Sequence, residues 1–400
     1  MKKIIACAAI CLSNVLFAKP ITVLVSIDGF ANFYLENHQV PFIQKLVQSG
    51  ASAEAVYPVY PSKTFPNHIS IVTGVYPSRH GIIHNKFFHR DIGKLYKLGA
   101  GKQDRRWLTA KPIWTLAEEQ GKNAYLYFWP ESEAISYDQK VTHVEPYDHG
   151  RKNETRVSKV LEWICSAEDE SPDFISLYFS TVDSAAHDYG QESLELTNAL
   201  TNVDNLLKKL INTSQKCKPD GVNFVIVSDH GMTPAGASNT IYYQDIVKKS
   251  STTIVNGQTQ LFIYENDPKK LNDVRSQLQK FLDSEKIKPF RIFVKGEFPK
   301  YWHLDSTSSV TPDLIVDALP PFTFVDKGEN ADVETHGYDA TLDHRLDAIF
   351  IGYGPTFKAG TTVPGFQNIH ITALLAHLIG IELPKDIDAS LDVFKPLLVD

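Results

Sequence analysis

A chain of 400 residues, 43% hydrophobic and 22% charged, has the composition of an ordinary soluble globule, long enough for one large α/β domain or two smaller ones. The formal charge is −7 and no basic tract stands out, which excludes duplex nucleic-acid binding as a function. No apolar run after residue 18 is long enough for a membrane span.

Met1-Lys2-Lys3, the apolar run Ile4 to Phe17 and the small Ala18 predict a cleavable signal over residues 1–18, hence a secreted or periplasmic protein. Leu16 is larger than the small residue usual three positions before a cleavage site. Removing Lys2 and Lys3 from the 40 basic residues leaves 38 against 47 acidic ones, so the formal charge moves from −7 to −9. Cys7 and Cys11 leave with the signal. Cys165 and Cys217 remain near the ends of two predicted helices, where a disulfide and two buried thiols both fit. No CxxC pair occurs.

Ile21 to Ile27 is a continuous β-branched run and predicts a buried parallel strand, ending in Asp28-Gly29. A carboxylate at such a strand end lies where α/β sheets put their ligands. Pro41 to Gly50 predicts an amphipathic helix. Pro61-Ser62-Lys63-Thr64-Phe65-Pro66-Asn67-His68 then precedes an apolar run. With Pro66 expected at the first helical position, Thr64 falls at a helix N-terminus, a natural anion site. Its hydroxyl reads as a nucleophile for phosphorus or as a plain helix cap. A polar loop follows with Asn85, and Ala124 to Phe128 predicts a strand that runs into Trp129-Pro130. Tyr147 stands in a second polar loop.

Glu154 to Cys165 predicts a helix and Asp173 to Ser180 a buried strand. Asp183 and His187 follow, four apart and so on one face of a helical turn. The periodic leucines from Glu192 to Leu210 form a core helix. Val222 to Val227 is a strand that ends in Asp229-His230. From residue 241 to 325 the texture changes to short strands around a helix, which predicts an inserted α+β subdomain. The catalytic core is expected over 19–240 and 326–400, and it resumes with His336. The fold class is therefore α/β, a mostly parallel sheet with helices on both faces.

Asp28, Asp183 with His187, Asp229 with His230, and His336 place three carboxylates and three imidazoles at four strand exits. Mixed oxygen and nitrogen ligands suit zinc or another first-row metal. Phosphate-ester hydrolysis asks an enzyme to lower its barrier by roughly 20 kcal/mol or more, while one general base contributes only about 10²–10⁴-fold. Two metals about 4 Å apart meet that demand.

Ser26-Ile27-Asp28-Gly29-Phe30, the Thr64 segment, Thr73-Gly74-Val75-Tyr76-Pro77, Val182-Asp183 through His187, Ser228-Asp229-His230-Gly231-Met232 and His336-Gly337-Tyr338-Asp339 together resemble the nucleotide pyrophosphatase/phosphodiesterase family of the alkaline phosphatase superfamily. The resemblance covers nearly the whole mature chain in order. It implies two Zn²⁺ ions per chain and a covalent nucleotidyl-threonine on Thr64. One zinc would take Asp183, His187 and His336; the other Asp28, Asp229, His230 and the Thr64 oxygen. It further implies that Asn85, with the Thr64 N–H, stabilises the transferred phosphoryl group, that Phe65 and Tyr147 sandwich a base, and that Trp129 forms a pocket wall. Trp129 reads equally as core. The expected substrate is a small nucleoside phosphodiester. Choline or phospholipid diesters are the alternative, because aromatic cages also hold quaternary ammonium groups. By the same resemblance, Thr109 stands where some nucleotide-hydrolysing relatives carry a pocket lysine.

Overall fold

The computed structural model describes residues 19–134, 141–166, 171–219, 221–248 and 251–399, so the expected signal over 1–18 lies outside the described residues. The main sheet is built from β1 (Ile21–Ile27), β2 (Ala51–Ala53), β3 (Ala124–Tyr127), β4 (His143–Glu145), β5 (Phe174–Phe179) and β6 (Val222–Val227). A second sheet contains β7 (Thr253–Asn256), β8 (Gln260–Tyr264), β9 (Phe290–Val294) and β10 (Leu314–Ala318). The chain then returns to the main sheet with β11 (Phe350–Tyr353) and β12 (Thr361–Val363).

The main sheet runs β12-β2-β11-β6-β1-β5-β3-β4. β1 pairs in parallel with both β5 and β6, in register Ile27 to Phe179 and Ser26 to Val227. Those three exits therefore lie side by side at one edge. β11 alone runs against its neighbours.

β1 is buried on both faces, which is why it reads as an unbroken apolar run. Val23, Val25 and Ile27 face α1 (Pro41–Ser49), α4 (Asn153–Cys165) and α6 (Leu194–Cys217). Leu24 faces the other layer, with α2 (Thr64–Thr73), α3 (Ile113–Glu119) and α8 (Ile371–Ile379). α5 (Thr181–Tyr189) leaves β5 after one residue, and α7 (Pro268–Ser284) covers one face of the second sheet through Val274, Leu278 and Leu282. The other face of that sheet, with Phe262, Tyr264 and Ile315, packs on Tyr60 and Ile69, so it backs directly onto the segment that carries Thr64.

Cys165 and Cys217, 52 positions apart, form a disulfide between the ends of α4 and α6. Closing a loop of that length restricts the unfolded chain by about 4 kcal/mol in the chain-entropy model. Among the described residues no helix is long and apolar enough to cross a membrane.

Candidate active site

Asp28 leaves β1, α5 carries Asp183 and His187 one turn apart, and Asp229-His230 leave β6. Gly29 makes the crowding possible. It adopts a φ of +69°, and a Cβ there would come within 2.9 Å of the Asp183 Cα and Cβ. The Asp28 carbonyl also accepts the Asp183 N–H at 3.1 Å. His336 arrives from a short segment, Glu334–Thr335, paired with Thr233–Pro234 just beyond His230.

Six candidate ligands converge. His230 Nε2 lies 2.9 Å from Asp229 Oδ2 and 3.5 Å from Asp28 Oδ1. His187 and His336 direct Nε2 at the same oxygen, Asp183 Oδ1, at 3.4 and 3.7 Å. Among the described residues, two groups have ligand atoms all within 4.8 Å of one another: Asp28, Asp229, His230, and Asp183, His230, His336. His230 belongs to both and stacks on His336 with ring centroids 3.6 Å apart. His187 stands beside the second group, its ring 5.0 Å from His336.

The rings are set for metal by their other nitrogens. Nδ1 of His187, His230 and His336 points at the carbonyls of Glu334, Gly231 and Ser62, at 2.9, 3.0 and 2.8 Å. A carbonyl only accepts, so Nδ1 carries a hydrogen, and whenever the ring is neutral its Nε2 lone pair faces the cluster. The oxygens that face those lone pairs, Asp28 Oδ1, Asp183 Oδ1 and Asp229 Oδ2, are buried and have no hydrogen-bond partner. Lone pairs facing lone pairs this closely repel unless a proton or a metal cation lies between them. Burial, with the Asp229 and Asp183 charges close by, pushes the Asp28 carboxyl well above the usual range. Burial also opposes a proton on His187, yet Asp183 and Asp332 raise its imidazole to about 10. Protons are thus drawn into a site whose donor set suits a first-row cation. The residues present fit such an ion.

Thr64 is the first residue of α2, and Lys63 occupies the cap position with no side-chain cap hydrogen bond. Pro66 is the third helical residue, not the first, so the expected position shifts by two. The capping reading of Thr64 therefore fails. Its Oγ1 lies instead 3.4 Å from His230 Nε2, on the rim of the carboxylate–imidazole cluster. Asn85 Oδ1 accepts the Phe65 N–H at 2.9 Å, which fixes the amide and leaves its NH₂ as a donor.

These groups open into a cavity of about 600 Å³, whose lining includes Thr64, Phe65, Asn85, Trp129 and Tyr147. Tyr147 is half-exposed, edge-on to Phe128. Trp129 is buried and donates Nε1–H to the His68 carbonyl at 3.1 Å, so it is wall and core at once. Thr109 does not line this cavity: its hydroxyl bonds the Arg79 carbonyl at 2.7 Å on another face. The lining does include two lysines, Lys63 and Lys102, the latter paired with Glu133 at 2.5 Å.

Several residues here carry no signal in the linear pattern. Tyr178 donates to Asp28 Oδ2, and Asp332 Oδ2 lies 3.2 Å from His187 Nδ1. His68 Nδ1 lies 2.9 Å from the Thr64 carbonyl and 3.2 Å from Asp229 Oδ2, while its Nε2 meets Ser26 Oγ at 2.8 Å. The spacing of four from Thr64 was the available clue to His68.

A mixed sheet with helices on both faces, and a carboxylate–imidazole cluster at the exits of β1, β5 and β6, defines an alkaline phosphatase-like α/β protein. Residues 22–339 match the family described as Type I phosphodiesterase / nucleotide pyrophosphatase, and the chain belongs to that family. It is 32% identical over 379 residues to ectonucleotide pyrophosphatase/phosphodiesterase family member 1 of Mus musculus, covering 91% of this chain and 41% of that protein. It is 31% identical over 364 residues to venom phosphodiesterase of Naja atra, covering 89% of this chain and 44% of that one. The chain thus spans less than half the length of these relatives. Among solved structures, murine ectonucleotide pyrophosphatase/phosphodiesterase 5, an inactive variant in complex with AMP, superposes with a TM-score of 0.86 at 25% identity, covering 96% of this chain and 100% of that one.

Proposed function

We propose that the chain is a secreted two-zinc phosphodiesterase that cleaves nucleoside 5′-phosphodiester or pyrophosphate bonds and releases a nucleoside 5′-monophosphate. The observation that carries this reading is the Thr64 hydroxyl standing 3.4 Å from His230, beside buried carboxylate oxygens that lack partners. Asp183, His187 and His336 would hold one zinc ion, and Asp28, Asp229, His230 and the Thr64 oxygen the other. Bound there, the ions supply the charge that makes a hydroxyl nucleophilic at neutral pH and neutralises phosphoryl oxygens.

The chain's own residues do the rest. Thr64 Oγ1 attacks phosphorus, and the bond to the leaving oxygen breaks, which leaves the nucleotidyl group on threonine. Water then attacks in line with the P–Oγ1 bond, that bond breaks, and the monophosphate departs. The Thr64 N–H, in the first turn of α2, has no intrahelical partner to satisfy. Together with the Asn85 NH₂ it donates to the phosphoryl oxygens in both steps. The disulfide fits an oxidising compartment and so supports secretion.

Phe65 and Tyr147 hold the base, and Trp129 fixes the wall behind α2. The bound AMP of the solved relative supports a nucleotide in this cavity. Base–aromatic stacking contributes about 1–3 kcal/mol, so Tyr147→Ala should raise KM for a nucleoside diester by roughly tenfold with little change in kcat. The test is a rate comparison on p-nitrophenyl thymidine 5′-monophosphate, p-nitrophenyl phosphorylcholine and p-nitrophenyl phosphate, for wild type and variant. Preference for the thymidine ester, lost in the variant, supports the base pocket. Preference for phosphorylcholine reassigns the aromatic residues to a choline cage.

A further inference from the structure

The cavity lining also includes four polar residues outside the aromatic set: Lys63, Gln258, Asp332 and His187. Gln258 reaches it from the turn between β7 and β8. Its backbone φ is +71°, a left-handed conformation that a residue with a long side chain adopts only under constraint. The turn is pinned on both sides. The Gln258 N–H donates to Asn256 Oδ1 at 2.9 Å, and its carbonyl accepts the Phe324 N–H at 2.6 Å.

The side chain makes two further bonds. Gln258 Oε1 accepts from Lys63 Nζ at 3.1 Å, and its Nε2 donates to Asp332 Oδ2 at 3.1 Å. An ammonium only donates and a carboxylate only accepts, so one amide orientation alone satisfies both. The same Asp332 oxygen lies 3.2 Å from His187 Nδ1. Lys63 is the residue before Thr64, and its stem lies over Gly337, where a Cβ would come within 2.3 Å of Lys63 Cε. Gly337 follows His336. One amide thus ties the residue beside the nucleophile to a carboxylate that shares His187 Nδ1 with the Glu334 carbonyl.

The geometry points to Gln258 as a positioning residue for the phosphodiester reaction: through Lys63 it steadies the start of α2, and through Asp332 it sets the His187 ring. The inference rests on the reading of the site given above. It assigns the second sheet a part in the chemistry, since that sheet supplies the turn. Residues that orient metal-ligating histidines typically affect metal affinity or activity by about 10–100-fold.

Gln258→Gly is the test, because glycine accepts the left-handed turn and removes only the amide bridge. Zinc affinity is read by chelator competition, stability by urea unfolding, and turnover on p-nitrophenyl thymidine 5′-monophosphate, alongside wild type and Asp332→Asn. Expected are stability at or above wild type, zinc affinity lower by about tenfold or more, kcat lower by a similar factor, and little further loss when the change is made in Asp332→Asn. Gln258→Asn, which also tolerates the turn but is one methylene short, should behave alike and serves if the glycine variant folds poorly. Wild-type zinc affinity and kcat in both variants, or a loss that adds in full to that of Asp332→Asn, would overturn the inference. A wild type that binds zinc but hydrolyses no diester would instead overturn the proposed function.

Discussion

Replacing Thr64 with alanine should abolish turnover of a nucleoside phosphodiester while leaving the protein folded. A reaction that passes through a covalent adduct loses its first step when the attacking oxygen is removed, so kcat should fall by about 10⁴-fold or more. The fold should survive because Thr64 does not cap α2; the cap position is held by Lys63, and Asn67 N–H reaches the Lys63 carbonyl at 3.2 Å. Alanine is also a good helix former. The check is a steady-state assay beside a urea melt, with zinc content measured on the same sample. A variant that keeps a tenth of the wild-type rate would remove Thr64 from the mechanism.

Stripping the metal should have an effect of similar size, and Asp229→Asn should reproduce much of it. Asp229 is wholly buried, and His68, His230 and the Gly29 N–H all gather on its two oxygens. The amide removes the charge while keeping the shape, so the group of Asp28, Asp229 and His230 loses its most enclosed anion. Zinc affinity there should fall by at least about 100-fold, more than an orienting partner of a ligand contributes. A metal held at about 1,000 times its Kd adds about 4 kcal/mol of stability. The chelated wild type should therefore unfold at lower temperature and recover on addition of zinc. Full activity after dialysis against a strong chelator, with zinc shown to be gone by elemental analysis, would contradict the account.

What could be read from the linear chain follows a physical division. β1, β5 and β6 are covered on both faces, so each appears as an apolar run with a polar residue at its exit. Asp28, Asp183 and Asp229 could be marked from that pattern alone, and parallel pairing then puts them at one edge. Asp183 and His187 needed only the period of a helix. Short strands gave no such signal: β2 and β12 have three residues each and are held by pairing, not by pattern. The reversed direction of β11 is likewise invisible in its composition.

The remaining site residues depend on contacts between distant segments. Asp332 lies in the polar stretch before His336, and only the folded chain brings it to His187. Gln258 sits in an ordinary-looking turn, and nothing in its neighbours marks the left-handed backbone that turns its amide toward Lys63. Thr109 shows the opposite error. Its place in the sequence suggested a pocket position, yet the backbone carries it to the Arg79 carbonyl, and Lys102 occupies the cavity. The cysteine pairing stayed open for the same reason, since two helix ends 52 positions apart meet only once both helices pack on the sheet.

The most direct test of the two-step displacement at Thr64 is the stereochemical course at phosphorus. A nucleoside 5′-phosphorothioate diester of known configuration would be hydrolysed in ¹⁸O-labelled water and the product configuration determined. Attack by Thr64 followed by attack of water inverts phosphorus twice, so the account predicts overall retention. Overall inversion would mean that water attacks the substrate directly, and Thr64 would then be no nucleophile.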